Sequence, residues 1–505
     1  MLQYNLEQRK GSSLYGELVR LMRADIASGK ISADEHLPSK RDFARSLGVS
    51  VITVEHAYQQ LIAEGYVRAV ERKGYFANDI GSFVPSQIYS RQSGQGIAGA
   101  SAPVGSDVAT SSIPGLASSA WFPSGLRCSS GRESTEGPAC ESYRYDLTGG
   151  VAPGSFPRRA WARLLRDVVE DASDEVLLKA APATGVRELK EEIARHVARF
   201  RGMEVHPSQV VVGAGSQVFY ALLSQLLGPL GSFAVEDPGY STLAQAYRAQ
   251  GLEVQLIPID GGGIDVASLR ASGASIAHVM PSHHFPTGVV MPISRRYELL
   301  GWASESPDRY IIEDDYDCEF RHQGHPIPAL QGIDAGERVI YLNTFARSLA
   351  PSLRLGYMVL PPHLMRRFER VLGFYSSSVS TVEQLVLARF MSQGHFDTHV
   401  NRMRRRYREV RDAALSVVDE AGLVVSGKDA GLHFVLDCGT RLDEARLVAR
   451  LSEQGVKVRT MGEYRHGATR ASDNTQLVVC YSGLDAVDSS AAMRLVCGEI
   501  AAVRA

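Results

Sequence analysis

Apolar residues recur along the chain at different spacings, and the changes of spacing divide it. Leu14, Leu18, Leu21, Met22 and Ile26 fall every three or four positions, which predicts one amphipathic helix stopping at Gly29. A second helix is predicted to open at PSKRD, where Ser39 can cap and Asp42 completes a capping box. Phe43 and Leu47 give it a buried side, and Gly48 makes the turn. Ser50 then caps a third helix whose inner face is Val54, Ala57, Tyr58 and Leu61. EGYVRAVERKGYFA follows as a hairpin. Two short helices, a glycine turn and a hairpin predict a winged helix-turn-helix over residues 11–79.

The periodicity then fades. Residues 80–142 are dominated by Gly, Ser, Ala and Pro, too poor in apolar side chains to offset chain entropy, and they read as a flexible linker. From 143 to 505, β-branched runs alternate with helical periods: VVVGAG, SFAVEDP, AHVMPSH, YIIEDD, RVIYLNTF and LRLGYMVL. Such alternation predicts an α/β domain around a largely buried sheet. Past about residue 395, GLHFVLD, VKVRTM and QLVVCYS interleave with helices, which predicts a smaller α+β lobe.

Composition narrows the possibilities. A length of 505 residues exceeds one ordinary core, in keeping with two or more domains. Apolar content of 44% and charged content of 22% are those of a soluble globular protein. A net charge of −2 gives no bulk pull toward nucleic acid or membrane, so either partner needs a local patch. Met1 leads into the polar NLEQRK, unlike a signal peptide, and no apolar run is long enough to span a bilayer; the expected location is the cytoplasm. The six cysteines have no metal-ligand spacing and are expected as reduced thiols.

With its inner face assigned, the third helix turns Ile52, Thr53, His56 and Gln59 outward. An exposed Ile near a helix start suits a thymine methyl in a major groove, beside a threonine and a histidine that can meet base edges or phosphate. Ser39, Lys40, Arg41 and Ser50 at the helix starts suit the phosphate backbone, and Arg72 and Lys73 at the hairpin tip, with Gly74 allowing close approach, suit the backbone or the minor groove. Taken singly, each basic residue is as well read as a solvated charge; the pattern as a whole favours double-stranded DNA. The block LPSKRDFARSLGVSVITVEHAYQQLIAEGYV resembles the GntR-type winged helix. Many relatives place arginine after the Ser50 position and in the helix body, where this chain has Val51, Glu55 and His56, so the base readout should differ.

VVVGAGSQVFYALL is a strand, a glycine turn and a helix, so Gly215, Ser216 and Gln217 offer a phosphate cradle, although a plain turn explains them alone. YIIEDDYDCEF ends a buried strand with Asp314, Asp315 and Tyr316, where a carboxylate can keep a pyridine nitrogen protonated. Tyr240 in VEDPGYS is as readily a packing residue. His283 and His284 in MPSHHFPTGVVMP suggest metal ligands, but no acidic or cysteine partner stands at metal spacing, so no metal is expected.

From about Tyr143 onward these segments resemble the fold-type I aminotransferases, which bind pyridoxal phosphate between a large and a small domain. A GntR-like head on such a body resembles the MocR-type regulators. The resemblance implies that Tyr240 stacks on the cofactor ring, Asp314 holds its nitrogen, Tyr316 reaches its hydroxyl, and Thr344 and Arg354 hold the phosphate. In NTFARSLAPSLRLGYMVLP it puts Arg347 at the site of the Schiff-base lysine. A guanidinium stays protonated and only donates, so it neither attacks an aldehyde nor shuttles a proton. Ala180 aligns with a tyrosine that relatives offer to the partner subunit's phosphate, and Val478 with an arginine that enzymes keep for the substrate carboxylate.

Together these readings describe a homodimeric, operator-binding transcription regulator that senses an anionic ligand without catalysis. The ligand would be pyridoxal 5'-phosphate or a related vitamer, bound non-covalently, or another anionic metabolite. A working aminotransferase with a DNA-binding head and a ligand-free dimerisation scaffold are the alternatives. The arginine run NRMRRRYREVRDAAL is expected to be a solvated or salt-bridged helix face, not a second nucleic-acid site.

Overall fold

The structure, a computed structural model, describes residues 4, 14–27, 30–63, 66–70, 73–78, 143–322, 328–440, 442–466 and 474–504. The linker expected over 80–142 lies outside the described residues, as do Gly29 and Arg72.

The head comprises α1 (Leu14–Ala27), β1 (His36–Leu37), α2 (Lys40–Leu47), α3 (Val51–Ala63), β2 (Val67–Val70) and β3 (Gly74–Ala77). Ser39 Oγ accepts from the Asp42 amide at 3.2 Å, and Gly48 ends α2 in the left-handed region with φ of 66°. Leu18, Met22 and Ile26 of α1 and Val54, Ala57, Tyr58 and Leu61 of α3 are buried around Phe43, as their spacing predicts, while Leu14 and Leu21 are half-buried. The Tyr58 ring sits 4.6 Å from that of Tyr75, and its hydroxyl donates to Pro38 O at 2.8 Å, which ties α3 to the wing. One strand was not foreseen: β1 pairs antiparallel with β3, His36 opposite Phe76, so the hairpin becomes a three-stranded sheet.

Beyond residue 143 the chain forms β4 (Tyr145–Asp146), α4 (Arg158–Asp171), α5 (Asp174–Leu178), α6 (Arg187–Arg201), β5 (Val210–Gly213), α7 (Ser216–Leu227), β6 (Phe233–Asp237) and α8 (Ser241–Ala249). It continues with β7 (Val254–Asp260), β8 (Gly263–Ile264), α9 (Val266–Ala271), β9 (Ile276–Val279), α10 (Ile293–Ser304), β10 (Tyr310–Asp314), β11 (Val339–Thr344) and β12 (Gly356–Val359). Last come α11 (Pro362–Leu372), α12 (Thr381–Ser392), α13 (His395–Glu420), β13 (Val424–Ser426), β14 (His433–Thr440), α14 (Glu444–Glu453), β15 (Val456–Lys457), β16 (Arg459–Thr460), β17 (Asn474–Cys480) and α15 (Ala486–Arg504).

Eight strands make one mixed sheet, in the order β5-β12-β11-β10-β9-β6-β7-β8. Strands β11, β10, β9, β6 and β7 run parallel, and β12 is antiparallel to both neighbours. The central strands are buried on both faces, which is why they read as unbroken apolar runs and not as alternation. Leu164, Leu189, Ile193, Val386 and Phe390 from α4, α6 and α12 form one hydrophobic layer of the body. Phe219, Leu223, Tyr247 and Phe368 from α7, α8 and α11 form another.

The smaller lobe is an antiparallel sheet, β13-β14-β17-β16, whose core joins Phe434, Leu436 and Leu477 to Tyr407, Leu447 and Val496 of the helices. Strand β4 pairs in parallel with β15, Tyr145 opposite Val456, and Tyr145 and Leu147 are buried in that same core. The first described residues after the head therefore belong to the small lobe, not to the large sheet. The arginine run on α13 is mostly occupied by backbone: Arg404 donates to Glu319 O at 3.0 Å, Arg408 to His322 O at 3.4 Å and Arg411 to Lys428 O at 3.1 Å. Arg411 also pairs with Asp412 at 2.7 Å. The four described cysteines are unpaired, and no described helix is long and apolar enough to cross a membrane.

Candidate functional site

The carboxyl ends of β5, β6, β9, β10 and β11 face one edge of the large sheet, the edge at which such sheets bind ligands. Gly215 caps α7 with φ of +84°, and a Cβ added to it would sit 2.5 Å from Arg354 Nη2. The guanidinium thus rests on the turn, with Nη2 3.5 Å from Ala214 O. Arg354 itself has φ of +50°, uncommon outside glycine. Strand register runs from Thr344 to Gly356 and from Gly356 to Gly213, so Thr344 ends β11 in the row that leads to the Gly215 turn. Gly215, Ser216, Thr344 and Arg354 are brought to the positive end of α7; Gln217 is exposed.

Asp314 ends β10, buried, and its Oδ2 accepts from the Tyr220 hydroxyl at 3.2 Å and lies 3.5 Å from His278 Nε2. Burial and the Asp314 charge push the Tyr220 phenol well above its ordinary pKa, so it stays a donor. Tyr316 is half-buried, with its hydroxyl 3.3 Å from His283 Nδ1; burial and the charge of Asp317 push its phenol up, against the opposing charge of Arg347. Tyr240 stands at the start of α8, exposed, edge-on to Phe285 at 6.3 Å.

Arg347 is half-buried and makes no hydrogen bond or ion pair to any of the described residues. Its charge reaches Tyr316, Tyr407, His433 and Cys480. Gly149 lies against the guanidinium: a Cβ there would meet Nη1 at 3.7 Å, in ordinary van der Waals contact. A forked cation without an acceptor is what an incoming carboxylate or phosphate would meet. Ala180 is exposed just past α5, and Val478 is buried with Val435, Met461 and Tyr464 against Phe285, so neither brings a polar group to the pocket.

The two loop histidines part company. His283 Nδ1 lies 3.0 Å from Asp317 Oδ2, and the His433 ring centre is 4.4 Å from its own. The acidic partner missing from local spacing is thus supplied in space, by Asp317. His284 turns instead to Thr287 Oγ1 at 2.8 Å and Glu236 Oε2 at 3.3 Å. Burial pushes Glu236 up to about 8 and His284 down to about 3, so both are neutral near pH 7. Buried Arg201 escaped the sequence reading: it pairs with Asp315 at 2.9 Å and donates to Ser282 Oγ at 2.8 Å, anchoring the histidine loop. Only tertiary pairing joins these positions, so local pattern carried no signal for them.

On the head, Ile52 is 62% exposed, and His56 is exposed beside Tyr15, whose ring is edge-on at 5.9 Å. Thr53 Oγ1 lies 2.8 Å from Ser50 Oγ, and Ser50 accepts from the Thr53 amide at 3.1 Å. Arg41 and Lys73 are exposed. Two of the expected contact residues also have internal partners. Lys40 Nζ is 2.6 Å from Glu55 Oε1 on α3, in a partly exposed ion pair. A Cβ on Gly74, whose φ is +102°, would lie 2.9 Å from His36 Nε2.

Comparison with known proteins follows the same division. Residues 14–76 match the gntR family of bacterial regulatory proteins, and residues 152–492 match aminotransferase class I and II. The chain is 34% identical to the uncharacterized HTH-type transcriptional regulator YdeL of Bacillus subtilis (strain 168) over 90% of each chain. It is 31% identical to the probable rhizopine catabolism regulatory protein MocR of Rhizobium meliloti, over 94% of this chain and 90% of the other. The crystal structure of a multiple substrate aminotransferase from Thermococcus profundus is similar with a TM-score of 0.62 and 25% identity, covering 72% of this chain and 92% of that one.

Proposed function

The chain belongs to the class I and II aminotransferase family in its MocR-type form, with a gntR-family head, and from that premise we propose a ligand-sensing, DNA-binding transcription regulator without catalysis. The observation that carries the reading is Arg347, a half-buried guanidinium with no acceptor among the described residues, in the strand-following loop where the family resemblance expects a lysine. It binds anions and offers no nucleophilic lone pair.

Pyridoxal phosphate fits the remaining residues as a non-covalent ligand. The Arg354 guanidinium, packed against Gly215 at the positive end of α7, suits a phosphate, and the Asp314 carboxylate suits a pyridinium N–H. When bound, the group supplies an aldehyde that condenses with amines and a ring that withdraws electrons. The chain's own part is to bind and orient: Gly215, Ser216, Thr344 and Arg354 at the phosphate, Asp314 at the ring nitrogen and Tyr240 over the face. Tyr220 and His278 keep Asp314 in place. Arg347 holds the anionic part of a ligand and moves no proton.

Exposed apolar side chains support a homodimer on operator DNA: Leu178 and Phe374 are 82% and 77% exposed, as suits contact with a second copy. Two heads related by a two-fold axis would read two half-sites, with Ile52, Thr53 and His56 at base edges and Arg41 and Lys73 at phosphates. A ligand that favours one arrangement of the body would change operator affinity only as far as it binds the two arrangements unequally.

Calorimetry with pyridoxal phosphate and pyridoxamine phosphate, on wild type and Arg347→Ala, tests the reading together with operator gel shifts. Saturable binding that Arg347→Ala weakens about 10- to 100-fold, and that moves operator affinity, supports it. No vitamer binding and an operator affinity deaf to both vitamers would leave a scaffold, and multiple turnovers of an amino acid would leave an enzyme.

A further inference from the structure

His283 follows β9, Asp317 follows β10, and His433 opens β14 in the other lobe, yet their ligating atoms all lie within 4.8 Å of one another. All three side chains are buried. We propose that they form a binding site for one divalent transition-metal ion of the zinc or ferrous class, clasping the small lobe to the large domain. The proposal stands apart from the sensing role above: it needs neither Arg347 nor a vitamer.

Four observations converge. Two imidazoles and one carboxylate are a donor set for zinc or ferrous iron, whereas calcium and magnesium take oxygen donors. His283 Nδ1 stands 3.0 Å from Asp317 Oδ2, within the spacing of two donors on one ion. His433 Nε2 lies 3.1 Å from Pro286 O, the outer-shell hydrogen bond that fixes a tautomer and leaves Nδ1 with its lone pair. A cavity of about 20 Å³, lined by Arg201, Ser282, His283, Asp317, Cys318 and Gly431 among others, borders two of the three ligands and has room for about one water as an additional ligand.

Gly431 is part of the design. A Cβ there would fall 1.9 Å from His283 Nδ1 and 2.4 Å from Asp317 Oδ2, so only glycine lets the small-lobe backbone pass this close. Bonds of about 2.0–2.1 Å would bring tetrahedral donors to roughly 3.3 Å apart, so closing on an ion from atoms within 4.8 Å of one another asks for a shift of up to about 1.5 Å between the lobes. His283 Nδ1 and Asp317 Oδ2, at 3.0 Å, are already that close. The Arg347 charge, which reaches His433, works against a second cation, and the Asp317 carboxylate offsets it. The metal would also displace the hydrogen bond now made between Asp317 and His283.

The test uses the full chain, stripped with chelator and titrated with Co²⁺, then Zn²⁺. One Co²⁺ per chain, with the strong visible bands of four- or five-coordinate cobalt and displacement by Zn²⁺, is the expected result. His283→Ala and His433→Ala should each weaken Zn²⁺ binding by tenfold or more, while His206→Ala, an exposed histidine far along the chain, leaves it unchanged. Asp317→Asn, close to isosteric, repeats the test if an alanine variant loses its far-ultraviolet dichroism. Wild-type protein that shows no stoichiometric Co²⁺ and only the weak bands of the hydrated ion overturns the proposal. So does Zn²⁺ affinity that survives both histidine substitutions.

Discussion

The hydroxyls of Tyr66 and Tyr297 lie 3.3 Å apart in a buried contact, so the head touches α10 of the body just before β2. The preceding residue on α10, Arg296, is fully buried and donates to Pro281 O at 2.8 Å and Met291 O at 3.0 Å. Those two carbonyls flank the loop that carries His283 and His284. Tyr66→Phe and Tyr297→Phe should each cost about 0.5–1.5 kcal/mol in urea unfolding, and the double variant less than their sum. Additive effects would mean that the two phenols do not interact in solution.

Arg347→Lys restores a primary amine to the pocket. Incubated with pyridoxal phosphate, that variant is expected to gain a protein-bound absorption band that borohydride fixes as one modified lysine, while wild type gains none. If both behave alike, Arg347 does not face the aldehyde.

Gly215→Ala places a Cβ 2.5 Å from Arg354 Nη2 at a residue with φ of +84°. Loss of phosphate affinity by about tenfold or more should accompany a lower melting temperature, because the strained backbone and the displaced guanidinium act together. An unchanged response to inorganic phosphate would place the phosphate elsewhere.

On operator DNA, Ile52→Ala should cost about 1 kcal/mol only at sites that carry the contacted thymine, with the salt dependence intact. Arg41→Ala should weaken all sequences alike and reduce the slope of affinity against salt by about 1. Mobility shifts at several salt concentrations separate the two.

His196 is stacked on Phe200 at 5.4 Å and edge-on to Phe396 at 5.2 Å, and burial pushes its pKa from 6.5 down to about 4. The unfolded chain takes up this proton near its ordinary pKa, and the fold refuses it until well below. Stability from the group is complete above about 6.5 and is lost as pH falls toward 4, with roughly 2 kcal/mol gone by about pH 5. His196→Phe should flatten that part of the acid limb in urea midpoints measured between about pH 7.5 and 5. An acid limb identical to wild type would contradict the burial.

The helical faces of the head and six strands of the large sheet were legible because each repeats over a stretch longer than its own boundary error. Val54, Ala57, Tyr58 and Leu61 could face only one way, and that left Ile52 outside. Strand β7 was missed because VQLIPID is interrupted by Pro258 and only half-buried, so it reads neither as an alternation nor as an apolar run. Strand β13 is an edge whose Val424 is 69% exposed. Lys40 looked available until α3 delivered Glu55 to it from fifteen residues away. The convergence of His283 with Asp317 and His433 was hidden for the same reason, since strand order, not spacing, decides which loops meet.

The pairing of Tyr145 with Val456 has a mechanical consequence. The polypeptide that follows the gntR-type head is stitched first to the smaller lobe, and only afterwards enters the large sheet. A rotation of the smaller lobe would carry Tyr145 and Leu147, the body's first buried anchors, along with it.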